Sequence, residues 1–151
     1  MADAEEVHRF EVRAAWKGDA GGGGEVVLAD GALSVPIAGA RSLGGSGAGA
    51  NPEELLLAAL GACFINTWAI FLKKLNVAYP EPAVRVSGAL GKEPAGGYRM
   101  ESAVIHARVP GALLASGRAS VEKTLGLAEK YCVISKVARA AMTLRVEIEE
   151  F

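Results

Sequence analysis

Two cysteines, Cys63 and Cys132, and two histidines, His8 and His106, are the side chains here with nucleophilic or metal-binding chemistry. Their scatter argues against a structural zinc site, which needs four ligands in close pairs. The thiols fit two readings. In one, each is a small buried hydrophobe, a common fate of free cysteine. In the other, a thiolate attacks a peroxide O–O bond, becomes a sulfenic acid, and is resolved to a disulfide by the second thiol. The attacking sulfur must then be held as thiolate. Cys63 lies about 11 residues beyond Pro52, roughly 16 Å along a helix at about 1.5 Å per residue. That is too far for the dipole at the start of its own helix, so the sequence points to a cation, by preference an arginine. Arg41, alone among the charged residues in the Gly/Ala/Ser run 38–50, is the candidate. A solvated loop charge is the alternative.

Glu53 and Glu54 stand at the head of the same helix. Acids there complement the positive helix end. The functional alternative is a carboxylate that holds the arginine guanidinium. Glu53 and Cys63 are roughly 15 Å apart along a continuous helix. If both serve one site, the arginine bridges them, the helix breaks, or the glutamate comes from a partner chain. His106 reads as a strand residue on a polar face. Phe64, Trp68 and Phe71 have core spacing, with the floor of an apolar pocket near Cys63 as the alternative. No P-loop, dinucleotide fingerprint or Gly-x-Ser-x-Gly elbow is present.

The elements that must position these residues follow from periodicity and punctuation. Alternation predicts strands over 8–16, 25–29, 32–36, 84–90, 98–109 and 143–151, with Asp30-Gly31 as a hairpin turn. Asn51-Pro52-Glu53-Glu54 predicts a helix start, and the helix should run to about residue 75. Further helices are expected over 112–131 and 135–142. Eleven of the 19 glycines fall between Gly18 and Gly49. That region is either a floppy loop or one whose backbone approaches something closely. Residues 55–72 form an 18-residue stretch without a charge. By length it qualifies as a membrane anchor. The preferred reading is a central helix apolar all round, buried in part by a second subunit.

The 151 residues suit a single α+β domain spanning 1–151, with antiparallel sheets and a full core. Lys and Arg number 16 against 17 Asp and Glu, a net charge of −1, which argues against a nucleic-acid binder and a polybasic membrane-surface protein. The acidic start, Met1 to Glu6, lacks an apolar stretch, which predicts no signal peptide and a cytoplasmic chain. In that compartment a static disulfide is not expected.

Three segments carry a resemblance. Gly49-Ala50-Asn51-Pro52-Glu53-Glu54-Leu55-Leu56 resembles the Thr-Asn-Pro-Glu-Glu-Leu helix start of the OsmC/Ohr family of cytosolic hydroperoxide reductases. Ala58-Ala59-Leu60-Gly61-Ala62-Cys63-Phe64 resembles its Ala-Ala-Cys-Phe stretch. Ala128 to Ser135 resembles its second-cysteine motif, usually Cys-Pro-x-Ser, with Val133 in place of the proline. The resemblance implies antiparallel sheets wrapped around a long central buried helix and a second helix, as an intertwined homodimer with sites at the subunit interface. It implies Cys63 as the peroxidatic thiol, Cys132 as the resolving thiol and Glu53 as the carboxylate that orients the activating arginine. Family members place that arginine in an early strand–turn segment, where this chain has Lys17, or in the loop before the helix, where it has Arg41; Arg41 is chosen. Organic hydroperoxides are the implied substrates, with an apolar pocket from Leu60, Phe64, Trp68 or their neighbours. An external dithiol of lipoyl type would recycle the disulfide. No metal, flavin or haem is required, and neither nucleic acid nor membrane is an expected partner. A non-catalytic, small-ligand-binding member of the same fold is the alternative.

Overall fold

A computed structural model describes residues 6–151. The acidic start read above as carrying no leader lies outside them, apart from Glu6. The chain forms two compact units, the first ending at Leu55 and the second spanning Leu56–Phe151.

In the first unit, β1 (Arg13–Lys17), β2 (Gly23–Leu28) and β3 (Leu33–Ala38) form an antiparallel meander in that order. The expected hairpin is present, but Ala29, Asp30 and Gly31 all have positive φ (50°, 53° and 94°), giving a wider turn than two residues. The first strand begins at Arg13 instead of residue 8. Arg13 pairs with Val27, next to the end of β2, and an extended segment without a partner has no ladder for its backbone groups. The glycine-rich loop is packed, not floppy. Ala38 N–H donates to Ala50 O at 3.1 Å and Ala50 N–H to Pro36 O at 2.9 Å, which ties the loop to β3. A Cβ at Gly45 would sit 2.2 Å from the Gly39 carbonyl, so only glycine permits this approach.

The long helix α1 (Pro52–Lys74) starts where the sequence places it. Glu54 N–H donates to Asn51 Oδ1 at 2.8 Å, and Asn51 N–H donates to Glu54 Oε2 at 3.2 Å. This reciprocal capping box satisfies two otherwise orphan donors. It also separates the two acids: Glu54 is part of the cap and Glu53 is free for another role.

The second unit holds β4 (Ala83–Lys92), β5 (Tyr98–Val109), α2 (Gly111–Tyr131), α3 (Val133–Ala141) and β6 (Thr143–Glu150). The sheet order is β4-β5-β6. β4 and β5 are antiparallel, but β5 and β6 run parallel, against the expectation of antiparallel pairing throughout. A parallel pair needs a crossover of a dozen or more residues, and α2 with α3 supplies it. The inner face of β5, Ala103, Ile105, Ala107 and Val109, is buried with Leu60, Phe64, Trp68 and Leu72 of α1 and with Leu114, Val121, Leu125 and Ala128 of α2. Across this core Trp68 Nε1 donates to Thr124 Oγ1 at 2.9 Å, and Thr124 Oγ1 donates to Val121 O at 2.7 Å. By length and composition α1 would cross a membrane. Instead it commits one face to this protein core.

His106 lies on the other face of β5, with its side chain only 17% exposed. Its Nε2 is 3.0 Å from Ser87 Oγ, and Nδ1 is 4.0 Å from Glu147 Oε2. The ring is more covered than a polar-face strand residue suggested. Ser87, His106 and Glu147 thus share one face of the second sheet.

Candidate active site

Cys63 is placed by the middle of α1 and Cys132 by the junction of α2 and α3. That junction turns on one residue. Cys132 is extended (φ −66°, ψ 115°), follows the last residue of α2 and caps the start of α3. As N-cap, its Sγ accepts the Ser135 N–H at 3.4 Å. It is fully buried, while Cys63 is partly exposed.

Each thiol influences the ionisation of the other, and the start of α3 bears on both. Burial pushes the Cys63 thiol up. Hydrogen bonds outweigh it: the N–H of Ile134, the Cys132 thiol, the N–H of Val133 and the Thr67 hydroxyl all favour the thiolate, and Cys63 titrates below its ordinary value. The Thr67 hydroxyl also donates to the Cys63 carbonyl oxygen at 2.8 Å. It has one hydrogen to give, so the two backbone N–H groups and the Cys132 thiol are the firmer donors. Cys132 shifts the opposite way. Its burial pushes it up, the Ser135 hydroxyl pulls it down, and the adjacent Cys63 pushes it up again. A negative charge on the pair is therefore favoured on Cys63 over Cys132.

This arrangement adds a source of thiolate stabilisation that the sequence reading did not include. The dipole of α1 is indeed too distant, but a different helix supplies its N-terminus. Within the second unit, the groups that favour the thiolate are hydrogen-bond donors. The sequence signal was present: a cysteine at an N-cap leaves the next N–H groups of its helix unpaired and aimed outward. Nothing local says that they aim at Cys63.

The other candidates belong to the first unit. Arg41 is exposed in a short 3-10 turn, Arg41–Leu43, and its stem lies over Gly47, where a Cβ would meet Arg41 Cγ at 2.5 Å. Gly47 also has a φ of +63°, so the loop reserves space for this side chain. One carboxylate oxygen of Glu53 is buried without a hydrogen-bond partner, an arrangement that calls for a donor. Lys17 ends β1 and is exposed.

Leu60, Phe64 and Trp68 are at most 2% exposed. They are core. An open groove of about 540 Å³, lined by Thr67, Ile70, Phe71, Lys74, Leu127 and Tyr131, begins one helical turn along α1 from Cys63. Of the aromatic residues singled out in the sequence, only Phe71 contributes to it. No group of three or more His, Cys, Asp and Glu side chains suited to a metal occurs among the described residues.

The described residues thus combine a fully buried cysteine, a partly exposed one and two three-stranded sheets. The chain belongs to the OsmC-like protein family, whose sequence model matches residues 44–147. Solved structures share the fold. The organic hydroperoxide resistance protein OsmC of Legionella pneumophila superposes with a TM-score of 0.74 at 23% identity, covering 95% of this chain and 99% of that one. An OsmC-like protein of Mycoplasma pneumoniae gives 0.78 at 13% identity, covering 95% and 97%. The organic hydroperoxide resistance protein OhrB of Bacillus subtilis gives 0.67 at 22% identity, covering 93% and 98%. At these identities the likeness is one of fold. No match was found among curated proteins.

Proposed function

We propose that the protein is a thiol-dependent peroxidase that reduces organic hydroperoxides in oxidative-stress defence. The observation that carries this reading is that Cys132, the N-cap of α3, and the first N–H groups of that helix favour the Cys63 thiolate. The Cys63 thiolate attacks the terminal oxygen of ROOH. The S–O bond forms, the O–O bond breaks, and RO⁻ leaves as the alcohol after taking a proton, for which the Cys132 thiol is the adjacent acid. Cys132 then attacks the sulfenic sulfur, the S–S bond forms, and hydroxide leaves as water. Sulfur carries both electrons, so no metal or flavin enters the cycle. An external dithiol, of the lipoyl type, restores the two thiols by exchange.

Glu53 and Arg41 complete the proposed site: the guanidinium stabilises negative charge near Cys63, and the unpaired Glu53 oxygen is its anchor. The groove beside Thr67 receives the organic part of the peroxide. The functional unit is a cytoplasmic homodimer. Only 28% of the apolar window of α1 is buried within the chain. Ala58, Ala62, Asn66 and Ala69 form an exposed stripe of small residues opposite the core face, a surface suited to close approach by a second copy.

Peptic digestion and mass spectrometry, before and after one equivalent of cumene hydroperoxide, tests the cycle. A Cys63–Cys132 linked peptide should appear with peroxide and vanish with a dithiol. Comparing turnover of Arg41→Ala and Lys17→Ala identifies the activating cation. The open groove also suits a second reading, a non-catalytic protein that binds a small apolar ligand. Free thiols that persist through the peroxide treatment would favour it.

A further inference from the structure

Ser135 is the third residue of α3 and is fully buried. Its N–H caps onto Cys132 Sγ at 3.4 Å, but its hydroxyl has no hydrogen-bond partner of good geometry. A buried hydroxyl left unpaired is uncommon and calls for a reason. The Ser135 hydroxyl lies against the Cys132 sulfur and favours its ionised form. It is not among the donors to Cys63. A thiol sulfur is a weak acceptor, whereas a thiolate is a strong one. The hydroxyl is thus a donor whose partner forms only when Cys132 loses its proton.

We propose that Ser135 is a positioning residue for the resolving step, donating its O–H to the Cys132 thiolate as that sulfur attacks Cys63. The inference rests on the two-thiol cycle above and adds an order to it. In the resting pair, burial and the charge on Cys63 keep Cys132 protonated. Peroxide converts Cys63 to a neutral sulfenic acid, and the opposing charge disappears. Cys132 then ionises against two waiting donors, the N–H and the O–H of Ser135. It attacks Cys63 Sγ, the S–S bond forms, the S–O bond breaks, and the departing hydroxide becomes water. The second thiol is activated only after the first has reacted, which protects the resting enzyme from idle oxidation at Cys132.

The test needs no peroxide. With 5,5′-dithiobis(2-nitrobenzoate), Cys63 attacks the reagent and releases one thionitrobenzoate; Cys132 then attacks Cys63 Sγ of the mixed disulfide and releases a second. In the full chain, Ser135→Ala should leave the first release unchanged and slow the second about 10- to 100-fold, the loss expected for one hydrogen bond to a charged group. Ser135→Thr, which restores the hydroxyl, should recover most of that rate. With cumene hydroperoxide, Ser135→Ala should accumulate sulfinic acid at Cys63. A second release in Ser135→Ala as fast as in the parent overturns the proposal. So does equal slowing of both releases, or no recovery in a folded Ser135→Thr. A parent chain that releases only one equivalent also overturns it, because Cys132 then never attacks Cys63. A parent that releases two equivalents yet is inert to hydroperoxide refutes the peroxidase reading and leaves the role of Ser135 standing.

Discussion

The N–H groups of Ile134 and Val133 and the Cys132 thiol favour the Cys63 thiolate. Each is a neutral donor whose contribution added salt should screen little, so a strong salt dependence of the Cys63 midpoint would mark the proposed Arg41 contribution. We expect the ultraviolet absorbance of thiolate to appear below the ordinary cysteine value of about 8.5. The first-step rate with cumene hydroperoxide should rise with pH through the same lowered value and level off above it. Cys132→Ser, whose hydroxyl also donates, should move that midpoint little while abolishing the disulfide. Cys63→Ser should abolish both turnover and the low-pH absorbance; unchanged peroxide consumption would refute Cys63 as the nucleophile. The linkage to stability has a definite sign. Folding lowers the Cys63 value, so this thiol contributes stability that is complete above the unfolded value and lost as pH falls through the folded one. Cys132, pushed up by burial, contributes in the opposite sense as pH rises.

At the scale of elements, α3 converts a cysteine motif into a site. Its first two N–H groups face Cys63 and its third faces Cys132. Val133 replaces the proline usual in the resembling motif, and its side chain is exposed. The substitution matters through the backbone: valine has an N–H at the first helical position and proline has none. Cys132 already has the extended conformation required before proline, and proline is favoured at that helix position, so Val133→Pro should fold normally. It should nevertheless raise the Cys63 midpoint, whereas Val133→Ala should not. Equal midpoints in the two variants would exclude the Val133 N–H as a donor. At the other end of the site, Asn51→Ala breaks the capping box of α1. It should cost about 1 kcal/mol in thermal or denaturant unfolding. No such loss would mean that Glu54 and Asn51 cap independently of one another.

At the scale of the whole molecule, the proposed homodimer calls for an interface that one chain does not supply. The exposed small-residue stripe of α1 is the face assigned to the second copy. Size-exclusion chromatography with light scattering should therefore give twice the mass of one 15.6 kDa chain. Ala69→Glu, on that stripe and distant along α1 from Cys63, should shift the protein toward monomer with helical content retained. A mutant that stays dimeric would place the interface elsewhere. Burying a carboxylate without a partner costs far more than one apolar contact contributes, which is why a single substitution suffices.

Most elements could be read from the residues because their signals are short-ranged. The strand over Tyr98–Val109 follows from alternation, and the start of α1 follows from Asn51-Pro52 with acids behind it. The two candidate cysteines also follow from composition, since only two exist. Long-range packing decided the rest. Parallel pairing of β5 with β6 depends on where the α2–α3 crossover returns the chain. The roles of Val133, Ile134 and Ser135 depend on which surface the start of α3 meets. Leu60, Phe64 and Trp68 read equally well as pocket or core until the sheet covers them. Hydrogen-bond donors near a helix end are encoded locally, but their target is a residue some 70 positions away, brought there by the packing of α1 against α2 and the sheet. Periodicity determines a residue's face on its own element; only the fold determines what that face meets.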